Sequence, residues 1–131
     1  MDELERYLKE VRKPFYDFYI KNKDSIENGK IKNHPSKQKE RGGFKLHILQ
    51  VIKKALEFNQ VCDRQELIEC CFIHDFGDYK KLPLTEAQLM AIRATKGEAK
   101  FREWRFSGHH KFVVLVLIAD MWSAYINEKD L

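Results

Sequence analysis

Apolar positions recur along this chain at helical spacing, in blocks separated by polar punctuation. Residues 2–12 read as a charged helix. Pro14 restarts the chain, and Phe15, Phe18 and Tyr19 then share an apolar helical face. Residues 21–43 form the longest polar stretch. Asn28-Gly29, Asn33, His34-Pro35 and Gly42-Gly43 are turn signals within it, and Lys30, Lys32, Lys37, Lys39 and Arg41 make it basic. A loop this long in a compact domain is usually functional or mobile, and its charge suits either closure over an anionic substrate or a simple surface loop.

The next block, 44–59, is the first strongly periodic one, with Phe44, Ile48, Val51, Ile52 and Ala55 on one face. Asp63 with Glu66 three residues on has the capping-box pattern and opens a helix running to about His74. Gly77 and Pro83 break the chain after it. Thr85 with Gln88 repeats the capping pattern, for a helix that ends near Gly97. Residues 98–107 are polar and aromatic. The last helix is expected from about Ser107 to about Asn127. Its β-branched run, 113–118, also fits a buried strand. The apolar pattern continues through Met121, Trp122, Ala124 and Tyr125, longer than a strand, and this selects helix. The expected fold is therefore all-α, one domain over 1–131 with N-terminal helices in 1–22.

Composition narrows the partners. The chain has 131 residues, 44% hydrophobic with nine Phe, enough for one packed core and too apolar for a disordered chain. A net charge of +4 suits a small anionic partner and falls short of a dedicated nucleic-acid binder. Cys62, Cys70 and Cys71 are odd in number and lack CxxC spacing, which argues against a disulfide framework or zinc ribbon. The polar amino end is not a signal peptide, and the longest apolar run, 112–119, is too short to span a membrane. A reduced, cytoplasmic setting without membrane association is expected.

Four residues put polar groups where the pattern demands apolar ones. His47 lies between Phe44 and Val51 on an apolar face. His74 lies at i+4 from Cys70 and i+7 from Leu67, with Asp75 directly after it. Asp120 lies between Val116 and Ala124 in the most apolar run of the chain. A buried carboxylate needs a cation: an arginine, a lysine or a metal. Taken singly, each residue reads equally as a satisfied core histidine or a salt-bridged aspartate. A divalent ion would satisfy all four together, and nitrogen with carboxylate donors favours Mn, Fe, Co, Ni or Zn over Ca or Mg.

The segments Gly-Gly-Phe-Lys-Leu-His (42–47), Ile-His-Asp-Phe-Gly-Asp (73–78) and Ile-Ala-Asp-Met-Trp-Ser-Ala (118–124) together resemble the HD-domain superfamily of metal-dependent phosphohydrolases. The resemblance covers about residues 30–127 and is nearest to its compact single-domain bacterial and phage members. It implies a compact helical bundle with His47, His74, Asp75 and Asp120 as metal ligands. His34 and His109-His110 are also similar to the HD portion of certain bacterial 3′-to-5′ exoribonucleases. Two positions depart from the pattern: Asp78 stands where many members have a phosphate-binding Lys, and Ala94-Thr95-Lys96-Gly97 where relatives often carry a further His-Asp-Gly.

The implied activity is metal-assisted hydrolysis of a nucleotide or related phosphate ester, with short single-stranded RNA as a variant substrate. Asp75 is then a candidate to hold or deprotonate the attacking water, and Asp78 a candidate general base or water positioner. Lys80, Lys81, Arg93 and Lys96 are candidate phosphate contacts, or else a solvated charged face. His109 and His110 are candidates for a second metal or a proton donor, or else exposed polar residues. Trp104 and Phe106 suit base stacking or core packing. The rival expectation is a degenerate HD domain that binds a nucleotide, nucleic acid or protein without turnover. A di-iron oxygenase is a third, minor reading.

Overall fold

The computed structural model describes residues 2–30, 41–58 and 60–126, and among these the ordered elements are helices and helical turns, with no strand. Eight helices follow in order: α1 (Glu3–Tyr7), α2 (Lys13–Lys21), α3 (Lys23–Asn28), α4 (Gly43–Leu56), α5 (Arg64–Ile73), α6 (Glu86–Thr95), α7 (Phe101–Trp104) and α8 (His110–Met121). A 3₁₀ turn (Tyr79–Lys81) precedes α6, and a π-helical turn (Trp122–Ile126) extends α8. No helix among the described residues is long and apolar enough to cross a membrane.

Helices α4, α5 and α8 pack against one another, and α6 closes the bundle against α8 and α5. Helix α5 runs through the middle: every residue from 67 to 73 is buried. Each large side chain so buried contributes about 1.5–3 kcal/mol relative to exposure. The 113–118 run is helical, and α8 buries Phe112, Val113, Val116 and Ala119.

Several boundaries differ from the sequence expectation, each for a local reason. The 2–12 helix stops at Tyr7, and Arg12 starts a second helix with Pro14 in its first turn, where a missing N–H costs nothing. Part of the expected 21–43 loop is helix α3, which buries Ile26. Residues 31–40, with His34 and most of the basic loop, lie outside the described residues. Asp63 caps α5 by accepting from the Glu66 N–H at 2.9 Å, but the return arm is absent: the Glu66 carboxylate accepts from the Thr85 hydroxyl at 2.5 Å instead. The Thr85–Gln88 box forms in both directions. Gly97, just past α6, has φ +73°, a conformation glycine adopts without steric cost.

Two glycines fix where α4 begins. Gly42 caps it with φ +86°, and a Cβ on Gly29 would lie 2.6 Å from the Ser25 carbonyl and 2.9 Å from Phe44 Cβ. The Phe44 N–H donates to the Gly29 carbonyl at 3.2 Å, tying the helix start to the end of α3. That start sets the rotation of α4, and His47 follows one turn later.

Candidate metal centre

Three helices deliver the four residues expected to act together. His47 comes from the second turn of α4, His74 caps the end of α5, Asp75 follows it, and Asp120 lies on the last turn of α8. The dipeptide His74-Asp75 is held by its neighbour. The Phe76 ring lies 5.0 Å from Phe18, 5.0 Å from Phe44 and 5.4 Å from Phe72, centroid to centroid. This aromatic cluster anchors the chain just past α5 and keeps Asp75 beside the bundle.

The four groups converge closely. His47 Nε2 lies 2.9 Å from Asp75 Oδ2 and 3.1 Å from Asp120 Oδ1. His74 Nε2 lies 3.1 Å from each of the same two oxygens. The four donor atoms all fall within 4.8 Å of one another, so the group could hold a metal ion. Both imidazoles are buried, while Asp75 is 34% exposed and Asp120 22%, so the carboxylates form the mouth.

The far nitrogen of each ring is also engaged. His74 Nδ1 donates to the Cys71 carbonyl at 2.7 Å; a carbonyl only accepts, so Nδ1 carries a proton. His47 Nδ1 lies 2.9 Å from Ser123 Oγ, whose hydroxyl donates to Gln50 Oε1 at 2.7 Å. That leaves both Nε2 atoms to face the carboxylates, the orientation a metal-binding histidine requires.

Electrostatics fits a cation site. Burial would push the Asp75 and Asp120 carboxyls up, but the two imidazoles outweigh it and hold both well below the usual carboxylate range. Burial would likewise lower His74, but the adjoining Asp75 and Asp120 carboxylates raise it well above the ordinary imidazole value. Without a metal, a proton on His74 offsets part of this negative charge.

The remaining expected residues lie elsewhere. Asp78 is not brought into the group: its exposed carboxylate is 3.6 Å from Lys81 Nζ and lines a small surface groove with Pro14, Phe18 and Lys21 of α2. Among the described residues only one cluster has the makings of a metal site, and His109 and His110 are outside it. His109 instead lies 3.5 Å from Glu86, and His110 is exposed at the start of α8. Arg93 donates to the Glu98 carbonyl at 3.3 Å past the end of α6. Lys80 and Lys96 converge on one ring, their ammonium groups 5.8 and 5.3 Å from the centre of Tyr79. Trp104 is buried against the core, whereas Phe106 is exposed beneath the Arg105 guanidinium.

Sequence reasoning passed over Ser123 and Gln50. Each is a buried polar residue three positions after a candidate ligand, Gln50 after His47 and Ser123 after Asp120, and that spacing was the available signal. Comparison with known proteins adds no relative: no protein-family model, curated protein or solved structure matches this chain.

Proposed function

We propose that this chain is a metal-dependent phosphohydrolase of the HD-domain type, acting on a nucleotide or a related phosphate ester. The observation that carries the reading is the convergence of His47, His74, Asp75 and Asp120 at the meeting of α4, α5 and α8. Two neutral nitrogens and two carboxylates suit Mn, Fe, Co, Ni or Zn. When bound, such an ion supplies Lewis acidity toward a phosphoryl oxygen and makes water nucleophilic near neutral pH.

The chain's own groups divide the work. His47 and His74 would hold the ion from the buried side, and Asp120 from the mouth. Asp75, the more exposed carboxylate, also faces solvent, where it would hold the attacking water and accept its proton. Lys80 and Lys96, which meet at the ring of Tyr79, four residues past Asp75 in the chain, are the candidate contacts to a substrate phosphate.

A second reading, binding without turnover, has one observation in its favour: Asp78, the other carboxylate expected to act, pairs with Lys81 outside the group. Phosphate release from a panel of nucleotides, cyclic nucleotides and a short single-stranded RNA, with Mn, Co, Ni or Mg, separates the two. Metal-dependent turnover that disappears in Asp75→Ala supports the hydrolase. A folded, metal-loaded protein with no turnover on any substrate supports the binding module.

A further inference from the structure

We infer that Ser123 and Gln50 form a positioning pair that fixes His47 for metal binding; the inference rests on the metal-site reading above. Three observations meet in it. The Ser123 hydroxyl lies between His47 Nδ1 at 2.9 Å and Gln50 Oε1 at 2.7 Å. Ser123 and His47 are fully buried and Gln50 nearly so, so water does not substitute for these bonds at little cost. The same helical end that supplies Ser123 to Nδ1 supplies Asp120 to Nε2 of the same ring.

The hydrogen-bond directions follow from the chemistry. The Gln50 amide oxygen only accepts, so the Ser123 hydroxyl proton points to it. The Ser123 oxygen then presents a lone pair to His47 Nδ1, which must carry the proton. Nε2 is left to point its lone pair at the group formed with His74, Asp75 and Asp120. Asp120 and Ser123 are three residues apart, on one face of the helical end, and His47 and Gln50 stand in the same relation on α4. The two helices thus hold the ring at both nitrogens. At the other histidine a backbone carbonyl does this work, through His74 Nδ1 and Cys71. Only the His47 side depends on side chains that substitution can remove.

Ser123 and Gln50 are not among the four residues whose donor atoms converge, so both would act through His47. Outer partners of metal-bound histidines are commonly worth about 10–100-fold in metal affinity. Ser123→Ala is therefore expected to weaken Co or Zn binding by about that factor, measured by competition with a chromophoric chelator. Gln50→Leu should weaken it less, since Ser123 keeps its hydroxyl but loses its orientation. Gln50→Glu, which still accepts from Ser123, should restore affinity. In the double variant Ser123→Ala/Gln50→Leu the losses should not add, because one chain of bonds is broken twice.

Nitrogen-15 spectra of histidine-labelled protein give a readout independent of metal and of activity. Wild type should show a slowly exchanging proton on His47 Nδ1, lost in Ser123→Ala and kept in Gln50→Glu. A wild type that binds no divalent ion would overturn the metal-site reading, and the Nδ1 proton would then decide the pairing by itself. A neutral His47 protonated at Nε2, or an unchanged Nδ1 signal and metal affinity in folded Ser123→Ala, would overturn the inference.

Discussion

Two groups of charged side chains are buried in this bundle, and they are neutralised in different ways. In the first, Glu69 sits 1% exposed in the middle of α5 and receives both the Arg12 guanidinium, at 2.8–3.1 Å, and the Arg12 backbone N–H, at 2.9 Å. Gln88 donates to the same carboxylate at 2.9 Å, and its own oxygen accepts from the Thr85 N–H at 2.9 Å. That network is closed around a cation that does not lose its proton: Arg12 is pushed higher still by its bond to Glu69. In the second group, Asp75 and Asp120 face imidazoles, and among the described residues no lysine or arginine reaches them. A carboxylate with a permanent internal cation joins elements of the fold together. A pair of carboxylates held against removable protons can exchange those protons for a metal.

The comparison breaks most sharply at Arg12. Arg12→Ala leaves the buried Glu69 carboxylate without its cation; Arg12 itself is 36% exposed and partly screened, so the cost should be about 1–3 kcal/mol, that of a buried acceptor left unsatisfied. Urea unfolding should show that loss, with metal affinity of the remaining folded protein unchanged. A loss below about 1 kcal/mol would place the pair with solvent-screened surface bridges and remove the contrast. At the other group the dependence should reverse. Asp120→Ala or His74→Ala removes a ligand, so metal affinity should fall at least as far as for an outer partner, about 100-fold or some 2.7 kcal/mol. Wild type with metal at a hundred times its dissociation constant should gain about 2.7 kcal/mol, on the order of 10 °C in Tm, and those variants should not.

Acidity gives a third, graded test. A raised imidazole pKa contributes stability that is full below the unfolded value and is lost as pH rises through the folded one. His74 is raised, so metal-free protein should lose stability as pH climbs above the ordinary imidazole range. Asp75 and Asp120 are depressed, so their contribution is present above the ordinary carboxylate range and falls away only in strong acid. Metal must displace the His74 proton, so its affinity should rise over the same alkaline window, with a proton released on binding. Arg12 stays charged throughout that window and should add no slope there. Thermal melts from pH 6 to 10, with and without metal, check both signs; parallel curves would mean that His74 does not carry the offsetting charge.

The two groups were unequally legible in the sequence. His47, His74 and Asp120 broke apolar periodicity on long helices, and a polar group in an apolar stripe is visible from residue spacing alone. Glu69 also interrupts an apolar run, but its partner Arg12 stands 57 residues away in a charged segment where one more arginine carries no signal. Asp78 was singled out by the resemblance alone, as the residue standing where many HD-domain members carry a Lys, and no periodicity bears on which way it faces. The 3₁₀ turn that follows it goes with a carboxylate facing Lys81 and α2. Helix α3 was missed because six residues with one buried apolar side chain leave little periodicity to read.

The smallest expected effect tests whether the two groups are independent. Thr85 lies at the rim of the Arg12–Glu69 network: its hydroxyl oxygen accepts from the Gln88 N–H at 3.1 Å and its proton goes to Glu66 at 2.5 Å. Thr85→Ala removes the cap of α6 and should cost about 1 kcal/mol, typical of a lost N-cap, with Thr85→Ser recovering most of it. Metal affinity should stay within about threefold, since sites that share no partner add to within roughly 0.5 kcal/mol. A larger change would show that the groups communicate along α5, which carries Glu69 and ends at His74 just over one turn later. The arginine network would then be part of what sets the metal site.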